Sequence, residues 1–208
     1  MRYDVLETNA DNLISDVVRE STGADIGFTN GFRFAPPIDA GPLTVGDLWR
    51  LLPLDSRIKV GWITGKQLRA YMEQELELVF ATNPWKLSGG WGPRASGMSV
   101  IFTAGNKFGT RVQSVKVAGR EVTDDQHISV AGCEREGEPL DLVCRIRGVN
   151  DVKVTSPSIH ETLLAYFKKH PVISPERDSR SVATDLPRTV FSQDGVLAQP
   201  RTNRANPK

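Results

Sequence analysis

The segment Asn30-Gly31-Phe32-Arg33-Phe34 has the residue types of a ligand-binding loop. It follows an apolar stretch, 24–29, that is typical of a strand, and loops at strand ends carry the ligand groups of many α/β proteins. Gly31 permits a tight backbone, Arg33 offers a planar set of donors to an anion, and Phe32 offers a shielding face. The alternative is that the phenylalanines are core residues and Arg33 is a surface charge.

A second candidate is the segment from Trp85 to Arg94, in which two tryptophans accompany an arginine in a glycine-rich backbone. Trp91 and Arg94 could supply an indole face and a second cation to the same anion as Arg33. The sequence therefore predicts one concave substrate-binding site formed by Asn30–Arg33 together with Trp91 and Arg94. The alternative is that the tryptophans only cover the core.

The sequence lacks the patterns of the common catalytic sites. Its three histidines, at 127, 160 and 170, are isolated from one another, and the residue types around them are typical of surface or helix-capping positions. No Gly-x-Ser-x-Gly elbow and no phosphate-binding glycine motif followed by lysine is present. By elimination, the sequence favours binding over catalysis, with no catalytic residue, metal site or cofactor in this chain.

Composition narrows the class of partner. The 208 residues carry a formal net charge of +1, which gives no electrostatic reason to expect binding to nucleic acid or to a membrane surface. Cys133 and Cys144 are too few for a disulfide framework, and we expect both to be free and buried; the alternative is a single bridge between them, which spacing does not decide. The polar start at Met1–Asp4 contains no signal-peptide core and indicates a chain that begins partway through a longer protein.

Four helices are expected from their capping residues and apolar spacing. The first has Thr8, Asn9 and Asp11 as possible N-caps and ends at Gly23, the second follows Thr44, the third follows Thr64, and the last follows Ser158 and ends at Pro171. Along Ile58–Thr64, alternation predicts a strand with Ile58, Val60 and Trp62 on one face and Lys59 on the other. The stretch from 82 to 96 is predicted to be a loop.

Further strands are expected at 98–102, 112–117, 128–131 and 182–184, with a turn at 118–120. Strands and helices interleave irregularly, which predicts a mixed α/β (α+β) fold with mixed sheets and helices packed outside. One domain is expected over residues 1–187, and the polar, proline-containing stretch 188–208 is expected to be a flexible tail.

The order of short motifs resembles that of the C-terminal domain of the 5'-nucleotidase family, over roughly residues 5 to 186. The resemblance rests on these segments: Asn12-Leu13 with Asp16 and Arg19, Ala24-Asp25-Ile26, Asn30–Arg33, Ala40-Gly41 with Gly46-Asp47-Leu48, Leu52-Pro53, Thr64–Leu68, Ser96-Gly97-Met98 and Val115–Gly119.

The resemblance implies a division of labour between two domains. An N-terminal calcineurin-like metallophosphatase domain would hold a pair of divalent metal ions and hydrolyse the ester, and its motifs are absent from this chain. The C-terminal domain would bind the nucleoside portion of the substrate and deliver it to the metals, with Arg33 aligned to a substrate-contacting arginine. Family members are usually periplasmic or extracellular, so the resemblance implies the same location here.

Two departures from the family affect the expected substrate. The aromatic residue that stacks on the base is replaced by Leu54, and the asparagine that follows it is replaced by Ser56. The second stacking segment would fall at 131–137, where no aromatic residue stands. Meanwhile Ser88–Arg94 with Ser96-Gly97 resembles the thiosulfohydrolase branch of the superfamily.

We therefore expect the substrate-binding domain of a hydrolase that acts on a nucleotide or a related anionic ester, inactive in isolation. The alternative is a stand-alone anion-binding or interaction module that has no catalytic partner.

Overall fold

The computed structural model describes residues 5–29, 38–88 and 92–186. Over these ranges the chain forms four helices and nine strands. The helices are α1 (Asn9–Thr22), α2 (Val45–Leu51), α3 (Gly65–Phe80) and α4 (Ile159–Lys169). The strands are β1 (Ile26–Thr29), β2 (Arg57–Thr64), β3 (Arg94–Ser96), β4 (Met98–Phe102), β5 (Val112–Val117), β6 (Arg120–Glu121), β7 (His127–Cys133), β8 (Asn150–Ser158) and β9 (Ser181–Ala183). A short 3-10 turn spans Pro84–Lys86.

Each α-helix begins after the predicted hydroxyl residue. The side chains of Thr8, Thr44, Thr64 and Ser158 each accept a hydrogen bond from the backbone N–H three residues later. At the last three of these caps, the side chain of that third residue also accepts a hydrogen bond from the backbone N–H of the cap residue, which completes a capping box. Gly23 ends α1 in the left-handed conformation, with φ +66°. These local predictions are confirmed.

The strands form two mixed sheets. The larger sheet has the order β3-β1-β7-β2-β8, with β1 and β7 parallel and the other neighbours antiparallel. The smaller sheet has the order β6-β5-β4-β9, and β9 runs parallel to β4. Both predictions, a mixed α/β class and mixed sheets, are confirmed.

Apolar side chains pack on both faces of the larger sheet. One core combines α3 and the smaller sheet with residues such as Phe28 and Val130, and the other combines α1, α2 and α4 with Ile58 and Ala131. Val130 and Ala131 are neighbours on β7 but belong to different cores, because successive strand residues point to opposite faces. The larger sheet therefore lies between a helical layer and a layer made of α3 and the second sheet.

Two strands of the larger sheet were not predicted from the sequence. β3 lies within the stretch predicted to be a loop, because pairing with β1 rather than local apolar alternation makes it a strand. β8 was not predicted, since it is an edge strand whose side chains are mostly exposed and whose apolar alternation is limited to Val152 and Val154.

The sequence predicted the faces of two β2 side chains but not their burial, and its prediction for His160 is wrong. On β2, Lys59 is fully buried whereas Trp62 is 45% exposed, because the segment from 134 to 149 covers Lys59 and no described segment covers Trp62 to the same extent. His160 was predicted to lie on a helix surface, but it is buried, with its Nε2 2.8 Å from the carbonyl oxygen of Leu52.

Candidate functional site

All five strands of the larger sheet start or stop at one common end of the sheet. β1, β7 and β8 end there at Thr29, Cys133 and Ser158, and β2 and β3 begin there at Arg57 and Arg94. We call this row of five residues the site edge. Loops that leave such an edge come close together even when they are far apart in the sequence.

The two segments predicted to bind substrate are attached to this edge. Thr29 and Arg94 are paired residues of β1 and β3, so the segment that starts at Asn30 leaves the sheet beside the point where the segment that ends at Arg94 enters it. Asn30, Gly31, Phe32, Arg33 and Trp91 themselves lie outside the described residues. The sheet therefore brings together the attachment points of both predicted segments.

Arg94 differs from the sequence expectation of a ligand-facing cation. Its side chain is only 2% exposed, and its Nε lies 3.4 Å from Oδ2 of Asp11, whose side chain is fully buried. Thr8 donates a further hydrogen bond to that carboxylate oxygen at 2.8 Å. Arg94 therefore contributes its charge to an ion pair inside the domain, where it joins the start of α1 to β3.

The side chains that replace aromatic residues at the site edge are charged or aliphatic. Leu54 is 59% exposed, and Arg57 pairs with Glu134 across the edge, with Nε and Oε2 3.1 Å apart. The backbone N–H of Glu134 also donates to the carbonyl of Arg57 at 2.8 Å. Within the described residues, Leu54, Arg57 and Glu134 thus offer polar groups and one apolar side chain, but no flat ring for a base to stack on.

Buried charges hold the segment 134–149 against the sheet beside the site edge. Lys59 Nζ donates to the carbonyl oxygens of Pro139, at 2.8 Å, and Leu142, at 3.3 Å. On α3, Glu75 is buried and forms an ion pair with Arg145. The left-handed backbone of Cys144 and Arg145, with φ +47° and +75°, is fixed between these two attachments.

Burial changes the acid–base properties of the groups around Arg145. Desolvation raises the pKa of Glu75, although the adjacent guanidinium of Arg145 opposes the change. Desolvation and the charge of Glu75 raise the pKa of Tyr71 well above its usual value. Burial raises the pKa of the Cys144 thiol to about 12.

Sequence reasoning missed these groups as part of the site's support. The available signal was a charged residue at an apolar position: Lys59 between Ile58 and Val60, and Glu75 on the face of α3 that also carries Met72. Such a residue is retained in a core only where partners are close.

The position of Trp85 bears on the alternative that the tryptophans of the second candidate segment only cover the core. Its side chain belongs to the 3-10 turn and is 95% exposed, so it does not cover the core. An exposed indole is available for contact with another molecule.

The structure gives no donor set for a metal within 5–29, 38–88 and 92–186, where no group of three His, Cys, Asp or Glu residues converges. Neither Cys133 nor Cys144 forms a disulfide; Cys144 is buried and Cys133 is partly buried. They pack in different cores, on opposite faces of β7. None of the described helices is both long and apolar enough to cross a bilayer.

Comparison with known proteins gives consistent matches. Residues 2–133 match the family model described as "5'-nucleotidase, C-terminal domain". The trifunctional nucleotide phosphoesterase protein YfkN of Bacillus subtilis is 36% identical over 115 residues, which cover 53% of this chain and 8% of that protein.

Two solved structures share the fold. The 5'-nucleotidase precursor of Thermus thermophilus matches with a TM-score of 0.74 at 22% identity, covering 90% of this chain and 38% of that one. The sulfate thiohydrolase SoxB of Thermus thermophilus, solved with glycerol, matches with a TM-score of 0.72 at 19% identity, covering 89% and 34%. The chain thus spans well under half the length of each of these relatives.

Proposed function

The chain belongs to the 5'-nucleotidase C-terminal domain family, and on this basis we propose that it binds the substrate of a larger hydrolase. The substrate is a small anionic ester such as a nucleotide, held at the site edge. In this proposal Arg33 supplies the anion contact, Asn30, Gly31 and Phe32 shape the loop, and Trp91 covers the apolar flank of the substrate.

The pairing of Thr29 with Arg94 is the observation that carries this proposal. It attaches the segment containing Arg33 and the segment containing Trp91 to neighbouring positions of one sheet edge. One segment carries a cation and the other an indole. Because both are attached at the site edge, together they can surround a ligand that neither could hold alone. Arg94 supports the site from within, through its buried ion pair with Asp11.

The polar surface around Arg57 and Glu134 favours a substrate recognised by its anionic group rather than by an aromatic base. Stacking of a base on an aromatic side chain stabilises binding by about 1–3 kcal/mol. Without that contribution, adenine and cytosine nucleotides are expected to bind with similar affinity.

We propose that an N-terminal metallophosphatase domain is the catalytic partner and that it carries the divalent metal pair. Since metal-assisted hydrolysis needs several ligands converging on the ion, this chain by itself is expected to bind without turning over substrate. We propose a periplasmic or extracellular location by analogy with the family; fractionation of cells that express the gene, with the chain found only in the cytoplasm, would contradict it.

The anion contact is tested by calorimetric titration of the chain with adenosine monophosphate. Arg33→Ala is expected to weaken binding by about 1.5–3 kcal/mol, the usual contribution of a charged hydrogen bond. Arg120→Ala, which removes an exposed arginine from the smaller sheet, is the matched control and should leave affinity unchanged. Unchanged affinity in Arg33→Ala would contradict the proposal, and an equal loss of folding stability would make Arg33 structural.

The division of labour is tested by assaying the chain against a nucleotide and an aryl phosphate with manganese present. We expect binding but no turnover. Metal-dependent hydrolysis that scales with the concentration of the chain would overturn the assignment of catalysis to a separate domain.

A further inference from the structure

A polar cavity of about 330 Å³ lies at the opposite end of β1 from the site edge. Its walls are the second half of α1, the turn at Gly97 that joins β3 to β4, the end of β5 and the segment just before β9. The charged residues that line it are Asp16, Arg19, Lys116, Asp178 and Arg180. This cavity is separate from the substrate site proposed above and does not depend on it.

Two glycines fix the position of Arg19 in this cavity. A Cβ atom on Gly97 would lie 2.6 Å from Arg19 Nε, and one on Gly27 would lie 2.8 Å from Arg19 Cβ. Arg19 Nε donates to the carbonyl oxygen of Asp25 at 3.1 Å. The Arg19 side chain therefore lies directly against the backbone of Gly27 and Gly97, and its Nε is hydrogen-bonded. Its two terminal guanidinium nitrogens remain available to another partner.

The carboxylates of the cavity are already engaged. Asp16 accepts a hydrogen bond from the Ser96 hydroxyl at 2.5 Å and pairs with Arg180 Nη2 at 2.9 Å. Asp178 pairs with Arg180 Nε at 2.7 Å. Arg180 therefore links the two aspartates and has little capacity left for a ligand.

The groups that remain are donors. Among the described residues, no carboxylate lies within ion-pair distance of Arg19 or Lys116, although both line the cavity. Ser99 and Ser179 also line it, and neither hydroxyl group forms a hydrogen bond within the described part of the chain. Two cations and two hydroxyls around one cavity form a donor-rich surface.

We propose that this cavity binds a small tetrahedral oxyanion of the phosphate or sulfate class, alone or as part of a small organic molecule. Guanidinium and ammonium groups form short, charge-assisted hydrogen bonds with such anions, and Arg19 presents a planar pair of donors. A cavity of this size is at the lower end of the range for small-molecule sites, so it has room for the anion and a short substituent.

The test is a titration of the 15N-labelled chain with sodium phosphate, followed by the amide signals of Gly97 and Gly119, with sodium chloride of equal ionic strength as the reference. We expect saturable shifts with phosphate and none with chloride. Sodium sulfate is titrated in parallel, and a saturable response to either oxyanion supports the site. Absence of a saturable response to both would overturn it.

Variants that remove one cation distinguish a specific binding site from nonspecific electrostatic attraction of phosphate to the chain. Arg19→Gln and Lys116→Gln are each expected to weaken binding about three- to tenfold, because each removes one exposed cation. Lys66→Gln removes an exposed cation of α3 outside the cavity and should have no effect. Equal weakening by Lys66→Gln would overturn the proposal.

Two further comparisons keep the result decisive. If Arg19→Gln fails to fold, Lys116→Gln carries the test, since Lys116 is exposed and its ammonium group supports no other described group. Arg33→Ala is expected to keep the phosphate response at Gly97 and Gly119, which separates failure of this cavity from failure of the substrate site.

Discussion

At the scale of single residues, the arginines of this domain have different physical roles. Arg94 is buried with Asp11, whereas Arg50 is largely exposed beside Asp47 at the surface. A buried pair that loses one partner leaves an uncompensated charge in a medium of low polarity. An exposed pair that loses one partner is simply rehydrated.

We predict that Arg94→Ala lowers the free energy of unfolding by about 3–5 kcal/mol, because the Asp11 carboxylate then loses its buried counter-charge. The matched control, Arg50→Ala, should cost no more than about 1 kcal/mol. Urea denaturation measures both. A loss from Arg94→Ala as small as that of the control would show that the side chain is available for direct ligand contact.

Cys144 gives a prediction about pH. Burial raises its pKa to about 12, so ionisation is favoured only far above neutral pH, and the folded state holds the thiol proton through the range in which an exposed cysteine ionises. In Cys133→Ser, Cys144 should not react with a thiol reagent at about pH 8, near the pKa of a free thiol, until urea unfolds the chain. Rapid reaction of the folded variant would contradict its burial.

At the scale of elements, the site edge depends on long-range pairing. β3 contains only three residues, and its position follows from its antiparallel register with β1. The segment 134–149 contains little regular structure and is held by Lys59 and by the Glu75–Arg145 pair. Charged anchors in the core therefore take the place of strand pairing on this side of the site.

We predict that Lys59→Met destabilises the domain by about 1.5–3 kcal/mol, because the stem still packs while the carbonyls of Pro139 and Leu142 lose a charged donor. Hydrogen exchange should increase over the segment 134–149 more than elsewhere. Lys153→Met, on edge strand β8, is the control for loss of a lysine. Uniform acceleration across the whole domain would mean that Lys59 stabilises the fold without fixing this segment.

At the scale of the whole molecule, the last described segment joins the smaller sheet through β9. Asp185 accepts hydrogen bonds from the backbone N–H groups of Ala104 and Gly105, both at 2.8 Å, and Leu186 packs against the core. These contacts attach the chain firmly up to its last described residue.

We predict that truncation after Pro187 leaves the melting temperature almost unchanged, since the sequence beyond it offers few groups to bury. Truncation after Arg180, which also removes β9 and Asp185, is the comparison and should lower it by several degrees. A comparable drop on removing 188–208 alone would show that Val190, Phe191 or Leu197 docks on the domain.

The sequence by itself determined the features of this protein that depend on residues close together in the chain. The starts of α1 to α4 were predicted, because a cap such as Thr64 with Gln67 is complete within four residues. The family was also predicted from the order of short motifs, and the mixed α/β class from the irregular alternation of elements. Each of these signals can be read without knowing which residues meet in space.

Only the tertiary structure decided the roles of the charged residues. Lys59 was assigned to a strand face correctly, but its burial depends on carbonyls 80 and 83 residues away. Arg94 was predicted to bind a ligand, and the structure places its side chain inside the domain, with Nε 3.4 Å from Oδ2 of Asp11 on α1. A side chain's environment is set by whichever segments the sheet brings beside it, and the pairing of Thr29 with Arg94 that unites the candidate segments has no local signature.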